Sequence, residues 1–302
     1  CPDMCIGFVR GPRAASPPAA FRVGGVDGLR GLSRAAGLAS LGHREIFPRT
    51  DAGGRSRSRI GRGLSRGGGD TGCLDSGGGS DGQLVSADVL DFGGGGWTRR
   101  IALDTERQHP STTILPDGKI FVVGGNPTSA LPQPQNALLI DPAQNFSVVS
   151  SGQMATTRGY HTISLLLPDG RVLVAGGRTG TVTGIVDEQP TMEIYSPPYL
   201  DAASRPVIDY VPDVIQNQQA FPILYHGATT ISDIVLIGLG SMTHSFDQNT
   251  RSIEVYAYNT EPGAVWGYNF FDNLSTPPGM YMLFILDENR IPSVAKIVQV
   301  TS

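Results

Sequence analysis

QHPSTTILPDGKIFVVGGN at residues 108–126 returns as YHTISLLLPDGRVLVAGGR at residues 160–178. His109 and His161, Asp117 and Asp169, and Gly124 and Gly176 are each 52 residues apart. In both copies alternating Thr, Ser, Ile and Leu residues make a strand, and Pro-Asp-Gly supplies the dihedrals of a tight turn. A second, wholly apolar strand follows at residues 120–123 and 172–175. Paired glycines then close each unit, where they allow a bulge or a close approach of backbone.

A period near 50 residues with this strand, turn and strand order is the signature of a kelch blade of a β-propeller. The flanking segments supply outer strands: SADVLDFGGGGWTRR (86–100), NALLIDPAQNFSVV (136–149) and PTMEIYSPPYL (190–200). Trp97 and Phe146 follow two of the intervening turns in related positions, which suits packing between blades. After Arg205-Pro206 the repeat stops. VIDYV, AFPILYH, DIVLIGLG, SIEVYAYN, YMLFILD and AKIVQV then occur as short strands separated by turn clusters, the pattern of a small antiparallel sandwich. The expected fold is all-β: an incomplete propeller over 84–203 and an immunoglobulin-like sandwich over 204–302. Residues 84–200 suffice for about two blades and part of a third, short of a closed ring. An open fan exposes sheet edges, so the expectation is a truncated or mis-spliced chain.

Residues 1–83 have a different texture. They contain no Tyr and no Lys, and GGRSRSRIGRGLSRGGGDTG (53–72) cannot bury enough apolar surface to order itself. The net charge of −4 divides into +5 over residues 1–100 and −9 over the remainder. A basic arm of this kind suggests nucleic-acid binding, but single-strand binders interleave stacking aromatics and this arm has only Phe8, Phe21 and Phe47. It is read as a disordered or wrongly translated arm, with no nucleic-acid partner. Cys1, Cys5 and Cys73 all lie in it, without paired zinc spacing. No apolar run approaches the ~20 residues of a membrane span. Phosphate-loop, Rossmann and Gly-x-Ser-x-Gly fingerprints are absent from the folded part.

Tyr160-His161 is the chemically suggestive pair. Adjacent strand residues face opposite ways, so both line one site only if the strand end bends. His244, in GSMTHSFDQNTRSIEV, is the third candidate. Imidazole and tyrosinate together suit Cu(II), although a His beside a Tyr is more often a structural residue than a ligand. His43 and His226 are read as incidental.

The surrounding words narrow the choice. TRGYHTISLLLPDGRVLVAGGR, EIYSPPYL with RPVI, GLGSMTHSFDQNTRSIEV and TPPGMYMLFILDENRIPSVAKIVQV occur in the order of corresponding motifs in galactose oxidase and glyoxal oxidase. The chain resembles the C-terminal part of these copper radical oxidases: last blades, then an early set immunoglobulin-like domain. The resemblance implies Cu2+ held by His161 and His244, with Tyr160 as axial tyrosinate and base for the substrate hydroxyl. It implies oxidation of a primary alcohol, sugar or aldehyde by O2 to give H2O2, in a secreted monomer. One departure stands out. The family's second cofactor is a tyrosine cross-linked to a cysteine in an earlier blade, yet the first tyrosine here is Tyr160 and no cysteine falls in a blade. His109 holds the repeat position of His161 and is taken as structural. A non-catalytic kelch and early set module binding carbohydrate or protein is the alternative function.

Overall fold

In a computed structural model of the chain, each Pro-Asp-Gly segment folds as the same hairpin turn. Gly118 N–H donates to Leu115 O and Gly170 N–H to Leu167 O, both at 2.9 Å. The Asp117 and Asp169 carboxylates accept from the backbone of Lys119 and Arg171 at 3.2 and 3.0 Å. Gly118 and Gly170 take φ of 84° and 90°, which a side chain would resist. The structure describes residues 86–302 apart from 92–95, 128–133, 182–183, 270–272 and 274, together with Gly7–Val9, Arg59–Gly61 and Thr71–Ser76. The expected arm over 1–83 thus lies for the most part outside the described residues.

Each turn nucleates a four-stranded antiparallel sheet. The first runs Ser111–Ile114, Ile120–Val123, Asn136–Asp141 and Ser147–Gln153 in chain order. In the second, Tyr160–Leu166 pairs with Val172–Thr181, whose other edge carries both Gly184–Glu188 and Met192–Tyr195. The first strands of the two sheets lie side by side. Thr113 Oγ1 donates to Ser164 O at 2.9 Å, and Ser111 Oγ bonds Thr162 O.

The all-apolar strand Ile120–Val123 is explained by burial on both faces. Ile120 and Val122 pack with Ala87, Val89, Ile101 and Phe146, while Phe121 and Val123 pack toward Val172, Val174 and Tyr199 of the second sheet. At the end of each unit a fully buried arginine replaces the missing ladder bonds. Arg107 donates to Gly124 O at 3.0 Å and pairs with Asp104; Arg158 donates to Gly176 O at 2.9 Å and pairs with Glu193. A buried guanidinium is tolerated only when its donors are matched in this way.

The C-terminal part is a sandwich closed around Ile208, Phe221, Ile223, Tyr225, Ile234, Leu236, Ile253, Val255, Val265, Leu283, Ile285 and Val298. One sheet orders Val214–Gln216, Lys296–Thr301, Gly279–Asp287, Ile231–Gly238 and Arg251–Glu261, and continues through Gly7–Val9, Thr71–Ser76, Ser86–Asp91 and Gly96–Ala102. The other is formed by Val207–Tyr210, Ala220–His226 and Ala264–Tyr268, and joins the first through Arg251–Glu261. The sequence reading of a purely antiparallel sandwich needs correction, because Val214–Gln216 pairs parallel to Lys296–Thr301 and Gly7–Val9 pairs parallel to Arg251–Glu261. Three residues with a single buried side chain, Ile215, carry too little pattern to announce a strand. The strand Ala264–Tyr268 is likewise absent from the sequence reading.

Ile231–Gly238 and Gly279–Asp287 read as unbroken apolar runs because both their faces are covered. Val235, Ile237, Met282, Phe284 and Leu286 turn away from the sandwich interior and pack against Leu166 of the second repeat sheet. Ala295 N–H donates to Pro168 O at 2.8 Å, and Arg205 donates to Asp169 O, Pro292 O and Ser293 O at 2.7–2.9 Å. The sandwich is therefore clamped onto the Pro-Asp-Gly turn that precedes it. Among the described residues no helix is long and apolar enough to cross a membrane.

Candidate metal centre

The bend that Tyr160-His161 requires is present. His161 adopts φ of 67°, while the ladder runs Tyr160↔Arg178 on one side of it and Thr162↔Gly176 on the other. The kink rests on a tight start to the strand, with Thr162 N–H donating to Gly159 O at 3.3 Å. Tyr160 N–H donates to Asn126 Oδ1 at 3.2 Å, which ties the kink to the last residue of the first repeat unit. Gly159 is required by space. A Cβ there would lie 1.7 Å from Asn126 Oδ1 and 2.0 Å from Arg178 O.

His244 arrives from the sandwich. Met242–Thr243 and Phe246–Asp247 form a minimal hairpin, paired Met242↔Asp247 and Thr243↔Phe246, so His244 and Ser245 are its two loop residues. Their φ values of 52° and 62° are those of a type I′ turn, ordinarily filled by Asn-Gly. Side chains at such dihedrals cost of order 1 kcal/mol each and persist where the surroundings impose them. Here the Asp247 carboxylate accepts from Ser241 and Asn249 backbone at 2.8 and 3.0 Å, and His161 N–H donates to Ser245 Oγ at 3.1 Å.

Three sequence candidates thus meet. The Tyr160 and His161 rings are 4.0 Å apart by centroid, His161 and His244 4.8 Å, and Tyr160 and His244 6.3 Å. Thr243 Oγ1 lies 2.7 Å from His244 Nδ1, a contact that orients the imidazole. His109, read from sequence as structural, has its ring 4.9 Å from that of Tyr160 and repeats the left-handed bend of His161 with φ of 53°. Burial, with a contribution from His161, lowers its pKa; His161 is lowered by desolvation, then by His244 and Arg178. Both shifts favour the neutral imidazole, the form that binds a metal.

Among the described residues no three His, Cys, Asp or Glu side chains are placed to share an ion. The donors that converge are two imidazoles and a phenol. That set fits Cu(II), which takes N and O donors in tetragonal arrangements. The sequence reading missed Asn126, Gly159 and Ser245, the residues that hold the candidates in place. Gly159 and Asn126 stand in the quoted motifs, but nothing in their spacing announces their contacts.

The fold and this cluster define an all-β protein whose C-terminal sandwich reaches back to a tyrosine-histidine pair on the preceding sheet. The family description "Galactose oxidase-like, Early set domain" matches residues 205–300. "Aldehyde oxidase GLOX" of Vitis pseudoreticulata is 35% identical over 47% of this chain and 30% of its own length. "Galactose oxidase" of Gibberella zeae is 28% identical over 65% of this chain and 29% of its own. A solved fungal alcohol oxidase of the AA5 family, in complex with copper, superposes with a TM-score of 0.66 at 25% identity, over 76% of this chain and 52% of that one. The chain is thus similar in sequence to galactose and glyoxal oxidases and in fold to a copper alcohol oxidase, and its residues 205–300 match the galactose oxidase-like early set domain. It spans about a third of the length of the two named oxidases.

Proposed function

We propose that this chain is a galactose oxidase-like copper protein whose centre is held by Tyr160, His161 and His244. The observation that carries the reading is the convergence of His161 and His244, rings 4.8 Å apart, from segments 83 residues distant in sequence. Copper bound there would supply a one-electron acceptor beside the substrate carbon. His161 and His244 would hold it as neutral imidazoles, and the Tyr160 phenolate would take the proton of a bound primary alcohol, sugar or aldehyde hydrate. O2 is the terminal oxidant in this scheme, and H2O2 the second product. We assign residues 84–203 to an incomplete kelch propeller, residues 204–302 to the early set domain and residues 1–83 to an N-terminal arm. Secretion, a monomeric state and the lack of a nucleic-acid partner belong to the same proposal.

A second reading follows from one observation. Alcohol oxidation removes two electrons, and this chain has no tyrosine before Tyr160 and no cysteine after Cys73 to form a cross-linked radical partner. A copper-holding kelch and early set module that binds carbohydrate or protein without turnover accommodates that fact. Copper quantitation with electron paramagnetic resonance on wild type, His161→Ala and His244→Ala tests the site. Stoichiometric copper in wild type, lost in both variants, is expected; unchanged uptake in the variants would sink the assignment. H2O2 release with a panel of primary alcohols and aldehydes then separates oxidase from binding module.

A further inference from the structure

The bond from His161 N–H to Ser245 Oγ joins residues 84 apart and is made by the residue immediately after His244. His161 sits at a left-handed φ between two ladder pairs, so its amide turns away from the Val172–Thr181 strand and toward the hairpin loop. Ser245 is buried, with 6% of its surface exposed, and is itself held at φ of 62°. Nothing in the hairpin requires a hydroxyl there. A type I′ turn prefers glycine at this position, yet the chain keeps a serine whose oxygen meets the His161 N–H at the bend.

We infer that Ser245 is a positioning residue that sets the separation of His161 and His244 and so preorganises the metal centre. The inference rests on the copper reading above but has its own measurable consequence. The loop carrying His244 is held in shape by Asp247, bonded to Ser241 and Asn249, and seated on the repeat sheets by Gly240 against Leu165 and by Phe246–Asp247 against Ser111–Ile114. Those contacts fix the loop's shape and its seat on the sheet. Among the described residues, only the Ser245 bond reaches the backbone of the other histidine. Partners of this outer kind commonly change metal affinity by ten- to a hundredfold.

The test uses the full chain with Ser245→Ala and Ser245→Gly, measuring Cu(II) affinity by competition and His161 amide exchange in the metal-free protein. Each variant should weaken copper binding about tenfold, broaden the copper resonance and speed His161 exchange. Glycine relieves the left-handed strain, so Ser245→Gly should melt no lower than wild type, which separates loss of the bond from loss of the fold. Wild-type affinity and unchanged exchange in both Ala and Gly variants would overturn the inference while leaving the copper site standing. If wild type itself takes up no copper, both fall.

Discussion

Arg290 and Asp117 stand 173 residues apart, yet the Arg290 guanidinium donates to the Asp117 carbonyl from Nε at 3.2 Å and from Nη2 at 3.0 Å. Its remaining nitrogen meets the Asp233 carboxylate at 2.9 Å. Arg205 does the equivalent at the second repeat, donating to Asp169 O at 2.9 Å. The same carbonyl of both Pro-Asp-Gly turns is thus gripped by an arginine of the sandwich. Arg290→Ala should lower stability by about 2 kcal/mol, the scale of a lost hydrogen bond to a charged group. Arg205→Ala should cost a similar amount. Denaturant unfolding of the single and double variants checks this, and a double variant no worse than either single would contradict independent clamps.

The second prediction concerns Gly159, which no positive φ demands but which space does. An alanine methyl at this position would sit 1.7 Å from Asn126 Oδ1 and 2.0 Å from Arg178 O, so Gly159→Ala must displace backbone on one side of the kink. A loss of about 3 kcal/mol is expected, together with weaker copper uptake, because Tyr160 and His161 follow directly. A variant that melts with wild type would show the kink to be more pliant than its contacts suggest.

What could be read from the residues, and what could not, divides along a physical line. The 52-residue recurrence exposed the two sheets because turn chemistry at Asp117-Gly118 and Asp169-Gly170 is local. The apolar runs at Ile231–Gly238 and Gly279–Asp287 were legible as strands, although not the fact that their second faces lie against the repeat sheet. Ala264–Tyr268 was hidden by Gly267, whose missing side chain makes room for the Phe221 ring. At the candidate centre the residue types were legible and their support was not. His244-Ser245 contains none of the Gly or Asn that marks a two-residue hairpin loop, and Arg107 and Arg158 look like surface residues until their buried carbonyl partners are seen.

Tyr199 makes the pH dependence of the interface testable. Its phenol is buried and donates to Gly170 O. Burial foremost, then Asp117, pushes its pKa well above the usual 10.0, with Arg205 opposing. A group whose folded pKa is raised contributes stability that is full below its unfolded pKa and declines as pH rises beyond it. The decline therefore begins near pH 10, where the unfolded phenol ionises and the folded one does not. Tyr199→Phe should cost about 1 kcal/mol at neutral pH through the lost hydrogen bond, yet flatten the alkaline fall. Tyr195, Tyr225, Tyr258 and Tyr281 are raised in the same sense, so part of the slope should remain. Unfolding curves at neutral pH and above pH 10 decide it, and an unchanged alkaline slope would place the effect elsewhere.

The last prediction turns on the cost of His244 itself. Its φ of 52° belongs to the first loop position of a type I′ hairpin, where Asn is among the preferred residues and His is less so. An imidazole there is exposed and held by a single side-chain hydrogen bond to Thr243. Its only ring neighbours in the described structure are Tyr160 and His161. Nothing in that environment stabilises the fold enough to explain the residue, whereas metal ligation would. His244→Asn should therefore leave the metal-free protein as stable as wild type or more so, by up to about 1 kcal/mol, while copper uptake is lost. The stabilisation that copper confers on wild type, measured as a rise in melting temperature with added Cu(II), should vanish in the same variant. If His244→Asn instead destabilises the metal-free protein, the histidine is serving the hairpin and the argument from strain to function fails.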